Sequence, residues 1–99
     1  MCHNKICYVV MNDYNYQTSD SAGTIAIAAS ADKQAAISFM EKEIADTLHN
    51  LYVEEKYDKS FCEEYRYNEE KFEVYSEKYR FSDYFYIKEI PFVEVSADA

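Results

Sequence analysis

The residues with the chemistry for catalysis or metal binding in this 99-residue chain are two histidines, three cysteines and three pairs of adjacent glutamates. His3 stands near the first residue. His49 falls where a helical pattern ends, and there an imidazole favours the helix dipole, which is reason enough for its presence. Neither has a partner constellation for general acid–base work in view. Cys2, Cys7 and Cys62 make an odd count with no CxxC spacing, so no disulfide framework or zinc site is expected and reduced thiols fit best. The pairs Glu54–Glu55, Glu63–Glu64 and Glu69–Glu70 lack the spacing of a calcium loop. A single glycine leaves no phosphate-cradling loop, and there is no GxSxG or dinucleotide fingerprint. The expectation is a protein without enzymatic activity, metal or cofactor.

The charged and aromatic residues carry more information. Nineteen acids against ten bases give a net charge of −9, which repels nucleic acid and anionic membrane and favours a basic partner. Twelve acids and five bases lie between Glu41 and Glu77, so most of the excess sits there. Eleven tyrosines are scattered through the chain, and several alternate with these acids. Stacking platforms for nucleic acid also use tyrosine, but they sit in basic grooves. Tyrosine among carboxylates suits the opposite role, in which acids imitate backbone phosphates and rings supply contact area. The candidate partner-binding patch is Glu54, Glu55, Tyr57, Asp58, Glu63, Glu64, Tyr65, Tyr67, Glu69 and Glu70. The same acids would also keep a small sheet soluble.

The elements that must position these residues follow from periodicity. Lys5 to Asn12 is apolar on both faces, as in a strand with neighbours on each side. Asp13 to Gly23 reads as a polar hairpin loop and Thr24 to Ser30 as a second strand. Ser30 is the expected N-cap of a helix from Ala31. Ile37, Met40, Ile44, Leu48 and Leu51 recur at three and four residues and form its apolar stripe, with an end between Asn50 and Lys56. The Ser60-x-x-Glu63 spacing resembles a capping box and predicts a short second helix from Phe61 to about Glu70. Lys71 to Phe81 reads as a strand, Ser82–Asp83 as a turn, and Tyr84 to Val95 as a last strand that Pro91 confines to an edge or breaks. The tail Ser96 to Ala99 should fray. The fold class expected is α+β in one domain, 1–99. It has a small, mostly antiparallel sheet of about four strands, one main amphipathic helix packed on one face, and a short second helix. No apolar run approaches the ~20 residues of a membrane span.

The stretches "ICYVVMNDYNY", "GTIAIAASADKQAAISFMEKEI" and "YIKEIPF" resemble those of small phage and mobile-element proteins. The likeness rests on the helix entry at Ser30, Ala35 and Ile37 and on Tyr86 to Phe92, and brings no catalytic residue with it. It implies a phage or prophage setting in a bacterial cytoplasm, where small acidic proteins include anti-CRISPR inhibitors and anti-restriction DNA mimics. The reading that results is a non-enzymatic, anti-CRISPR-like inhibitor that occupies a basic nucleic-acid-binding surface of a host protein or nucleoprotein complex. Alternatives are an immunity protein against a basic nuclease toxin, and a module that sequesters a nucleotide signal using Lys5, Lys33, Arg66 and Arg80. A homodimer paired through the last strand is a further possibility.

Overall fold

The computed structural model describes residues 3–94, with side chains from 5 to 91. Cys2, the side chain of His3 and the tail expected to fray lie outside the described residues. The chain forms β1 (His3–Tyr16), β2 (Ser21–Ser30), α1 (Lys33–His49), β3 (Glu63–Asn68), β4 (Lys71–Ser76) and β5 (Phe81–Glu94). The strands make one antiparallel sheet in the order β2-β1-β5-β4-β3. The α+β class and the single main helix are as expected. The sheet has five strands rather than four, because the segment assigned to a second helix supplies β3.

α1 forms where the apolar stripe predicts. Ala36, Ile37, Met40 and Ile44 are buried, with Leu51 in the π-helical turn Asn50–Glu54 that continues the axis. Burying each of Ile37, Met40, Ile44 and Leu51 stabilises the fold by roughly 1.5–3 kcal/mol. They pack on Val10 of β1, Phe72 and Val74 of β4, and Phe81, Phe85 and Ile87 of β5. The N-cap is Asp32, not Ser30: its carboxylate accepts from the Gln34 amide at 2.9 Å, while Ser30 Oγ accepts from the Asp32 amide.

Three local expectations are corrected. The polar segment after Asn12 is strand, and the β1–β2 connection is only Gln17 to Asp20, with Asp20 at φ 54°. The second helix is absent: a 3-10 turn, Lys59–Phe61, is capped by Asp58 rather than Ser60, and β3 follows. Ser82–Asp83 lies inside β5, and the β4–β5 turn comes earlier, at Glu77 to Arg80, with Arg80 at φ 60°. The last strand is not an edge along its whole length: β1 and β4 flank it from Phe81 to Tyr86, and it is an edge beyond that, at the Pro91 end, as Pro91 predicts. Pro91 is tolerated because β4 ends opposite Tyr86. The Ile87 amide bonds Glu70 O on that side, and residue 91 shares its orientation, so the missing donor faces a strand edge that β4 has left open.

A candidate tyrosine–carboxylate face

The helix and the short turns cover one side of the sheet. Strand alternation sends the intervening residues to the other side, where no helix packs among the described residues. Register assigns this second face row by row. Glu63, Tyr75, Ser82 and Asn15 lie across β3, β4, β5 and β1, followed by Tyr65, Glu73, Tyr84 and Asp13. Lys71, Tyr86 and Met11 come next, with Lys88 beside Val9 beyond them. A bulge between Arg66 and Asn68 leaves Tyr67 the extra residue of β3, and it points to the same face.

Five tyrosines from three strands thereby form a continuous path. Ring centroids are 6.0 Å apart for Tyr75 and Tyr65, 6.4 Å for Tyr65 and Tyr67, 6.1 Å for Tyr67 and Tyr84, and 5.1 Å for Tyr84 and Tyr86. These are ordinary offset and edge contacts, each worth about 0.5–1.5 kcal/mol beyond area burial when desolvated. Tyr65 and Tyr67 are 45% and 56% exposed, so the path presents ring surface to solvent.

Hydroxyls hold the carboxylates in this lattice. Tyr67 donates to Glu73 at 2.9 Å and Tyr86 to Asp13 at 3.4 Å. The bond to Glu73 raises the Tyr67 pKa, a hydrogen bond with Tyr65 raises that of Tyr75, and burial beside Asp13 raises that of Tyr86. All three therefore remain neutral donors at physiological pH. Strand geometry puts the Cα atoms of Glu63 and Glu73 about 8 Å apart, and those of Glu73 and Asp13 about 10 Å apart. That is about one Debye length at 0.1 M salt, so their fields overlap and weaken as salt rises. Lys71 stands in the row next to Glu73, opposite Tyr86, and Lys88 lies beyond it. Glu63, Glu73 and Asp13 lie in the two rows on the other side of Lys71.

The expected patch is divided by the fold. Glu63, Tyr65 and Tyr67 belong to the tyrosine face. Glu64 and Arg66 point to the helix side, where Glu64 accepts from the Tyr52 hydroxyl at 2.7 Å and Arg66 grips Glu41 with two bonds of 2.7 and 2.9 Å. Glu70 pairs with Lys33 at 3.0 Å, and Glu54 lies 3.5 Å from His49. Asp58 caps the 3-10 turn, and the Ser60 hydrogen bonds lower its pKa. Tyr57 is half-buried, stacked on Tyr79 at 4.1 Å and against Phe81. Glu55 and Glu69 are exposed, Glu55 after the π-helical turn and Glu69 in the β3–β4 turn. Tyr75, Tyr84, Tyr86, Glu73 and Asp13 were not in the expected patch. Their signal was the alternation of β4 and β5, which becomes a surface only once register is known.

The cations proposed for a nucleotide do not converge. Lys33 and Arg66 are engaged by glutamates, and Arg80 Nε donates to Gln17 at 3.3 Å. A cleft of about 570 Å³ at the end of the face brings Arg80 together with Glu73 and Glu77, so a phosphate there would meet two carboxylates. Cys7 and Cys62 are free, half-buried thiols, and burial raises the Cys62 pKa, which lowers its reactivity. Among the described residues no group of three or more His, Cys, Asp or Glu could hold a metal, and no helix is long and apolar enough to cross a membrane.

The fold and face together define an α+β domain with a half-covered antiparallel sheet. No family model matches the sequence, and no curated protein or solved structure matches it either.

Proposed function

We propose that the protein is a non-enzymatic inhibitor that lays its tyrosine–carboxylate face on a basic, nucleic-acid-binding surface of a host protein or nucleoprotein complex. The observation that carries this reading is the path of five tyrosines interleaved with Glu63, Glu73 and Asp13 on the side of the sheet that α1 leaves uncovered. Rigid aromatic rings give contact area at low entropic cost, and the fixed carboxylates stand in for phosphates. A net charge of −9 would steer the encounter with a basic target. The resemblance to small phage anti-defence proteins makes a CRISPR or restriction complex in the bacterial cytoplasm the target class.

The test is capture from bacterial lysate with the wild-type protein and with a Glu63→Lys, Glu73→Lys double variant, followed by competition. The expected partner binds the wild type, is lost with the double variant, and releases the protein when its own DNA or RNA is added. A partner that binds protein and nucleic acid simultaneously, or binds both variants equally, contradicts the proposal.

A further inference from the structure

The two outer strands of the sheet are built differently. β3 carries Glu63, Glu64 and Arg66, charges of the kind that keep an exposed edge from pairing with another chain. β2 has no such protection. From Ser21 to Ala31 there is no charged residue and no proline, in a chain that is 29% charged. Its residues from Ser21 to Ala26 are exposed, and Ile25 is 44% exposed. Among the described residues only β1 pairs with it, so the outward-facing amides and carbonyls of β2 form an open template.

We infer that β2 pairs antiparallel with β2 of a second copy, joining two five-stranded sheets into one. An uncharged edge gives a charged partner nothing to hold, and an identical strand is its simplest antiparallel complement, so the occupant is a second copy. Two chains of −9 repel, but none of the twelve acids between Glu41 and Glu77 lies on β2. The uncharged β2 edge is where like copies meet at least electrostatic cost. The pairing is also bounded. Asp20 and Asp32 stand beyond its two ends, and the irregularity opposite Val10 and Met11 makes Ile27 an extra residue that interrupts the regular edge. The regular stretch is therefore Ser21 to Ala26. A two-fold axis normal to the sheet keeps like faces together, so the assembly closes as a dimer with charged β3 strands at both outer ends. Both tyrosine faces then lie on the same side.

The experiment compares the wild type with an Ala22→Lys, Ala26→Lys double variant by sedimentation equilibrium at several salt concentrations, with circular dichroism to verify folding. The wild type is expected at twice the 11.7 kDa chain mass, with dimerisation strengthened by salt. The double variant is expected at the chain mass with an unchanged spectrum. Should that variant unfold, Thr24→Lys alone is the second probe, since Thr24 is exposed and its side chain takes no part in the core. A monomeric wild type at its solubility limit overturns the inference. So does a dimer that persists in a folded lysine variant.

Discussion

Replacing Tyr16 by phenylalanine removes one oxygen from a buried polar network and leaves the packing in place. Asp83 is 3% exposed in β5 and has two side-chain donors, both from β1. Asn12 Nδ2 donates to Oδ1 at 3.2 Å, and the Tyr16 hydroxyl donates to Oδ2. The Tyr16 ring stacks on Phe81 at 6.0 Å, a contact that phenylalanine keeps. A hydrogen bond to a charged acceptor contributes about 1.5–3 kcal/mol, and a neutral one about 1 kcal/mol. Burial raises the Asp83 pKa, against the opposing effect of the Tyr16 and Asn12 bonds. The folded state therefore binds more protons than the unfolded one between the ordinary carboxylate pKa of about 3.9 and the raised value. Wild-type stability falls as pH rises through that window. Tyr16→Phe removes a group that favours the charged form, pushes the Asp83 pKa further up and extends the fall to higher pH. The variant should lose about 1 kcal/mol in acid and about 2 kcal/mol or more where the carboxylate is charged. For a domain of this size, 2 kcal/mol lowers Tm by roughly 8–16 °C. Urea denaturation in mildly acidic and mildly alkaline buffer reads both numbers. A variant within about 0.5 kcal/mol of wild type in both buffers, the range of an ordinary surface change, refutes the reasoning.

Met40→Ala should cost about 2–5 kcal/mol by the same assay, because Met40 is fully buried between α1 and the sheet. Glu73→Gln should lower the pH at which Tyr67 ionises, read by spectrophotometric titration of the tyrosines, since Glu73 is the main cause of its raised pKa.

The helix and the apolar parts of the first two strands were legible because their signals are local, whereas their polar ends around Gln17 to Asp20 read as loop. The stripe from Ile37 to Leu51 states its own period, and Val9 and Val10 face opposite sides of a strand with neighbours on both edges. The later hairpins were misread because neither turn contains glycine or proline. Asn68 makes the β3–β4 turn by accepting from the Glu70 amide at 2.8 Å, and the β4–β5 turn puts Arg80, not glycine, at positive φ. With no glycine to mark either turn, Ser82–Asp83 looked the better break. Asp83 instead meets Asn12 and Tyr16, far away in sequence, and no local pattern announces that pairing. The spacing at Ser60 suggested a capping box, although Glu63, Tyr65 and Tyr67 already alternated as in a strand. For the same reason Tyr75, Tyr84 and Tyr86 read as architecture, and the sheet makes them neighbours of Tyr65 and Tyr67.

The central claim is that the uncovered tyrosine–carboxylate face, rather than the acid-rich stretch as a whole, receives a basic partner. It is tested most directly by two-dimensional amide NMR of the protein titrated with an arginine-rich peptide. The account predicts salt-sensitive shifts concentrated at Glu63, Tyr65, Tyr67, Glu73, Tyr75 and Tyr84, with Glu54, Glu55 and Asp58 little changed. Shifts centred on Glu54 to Asp58 and the helix side of the sheet, or spread evenly over all the acids, contradict it.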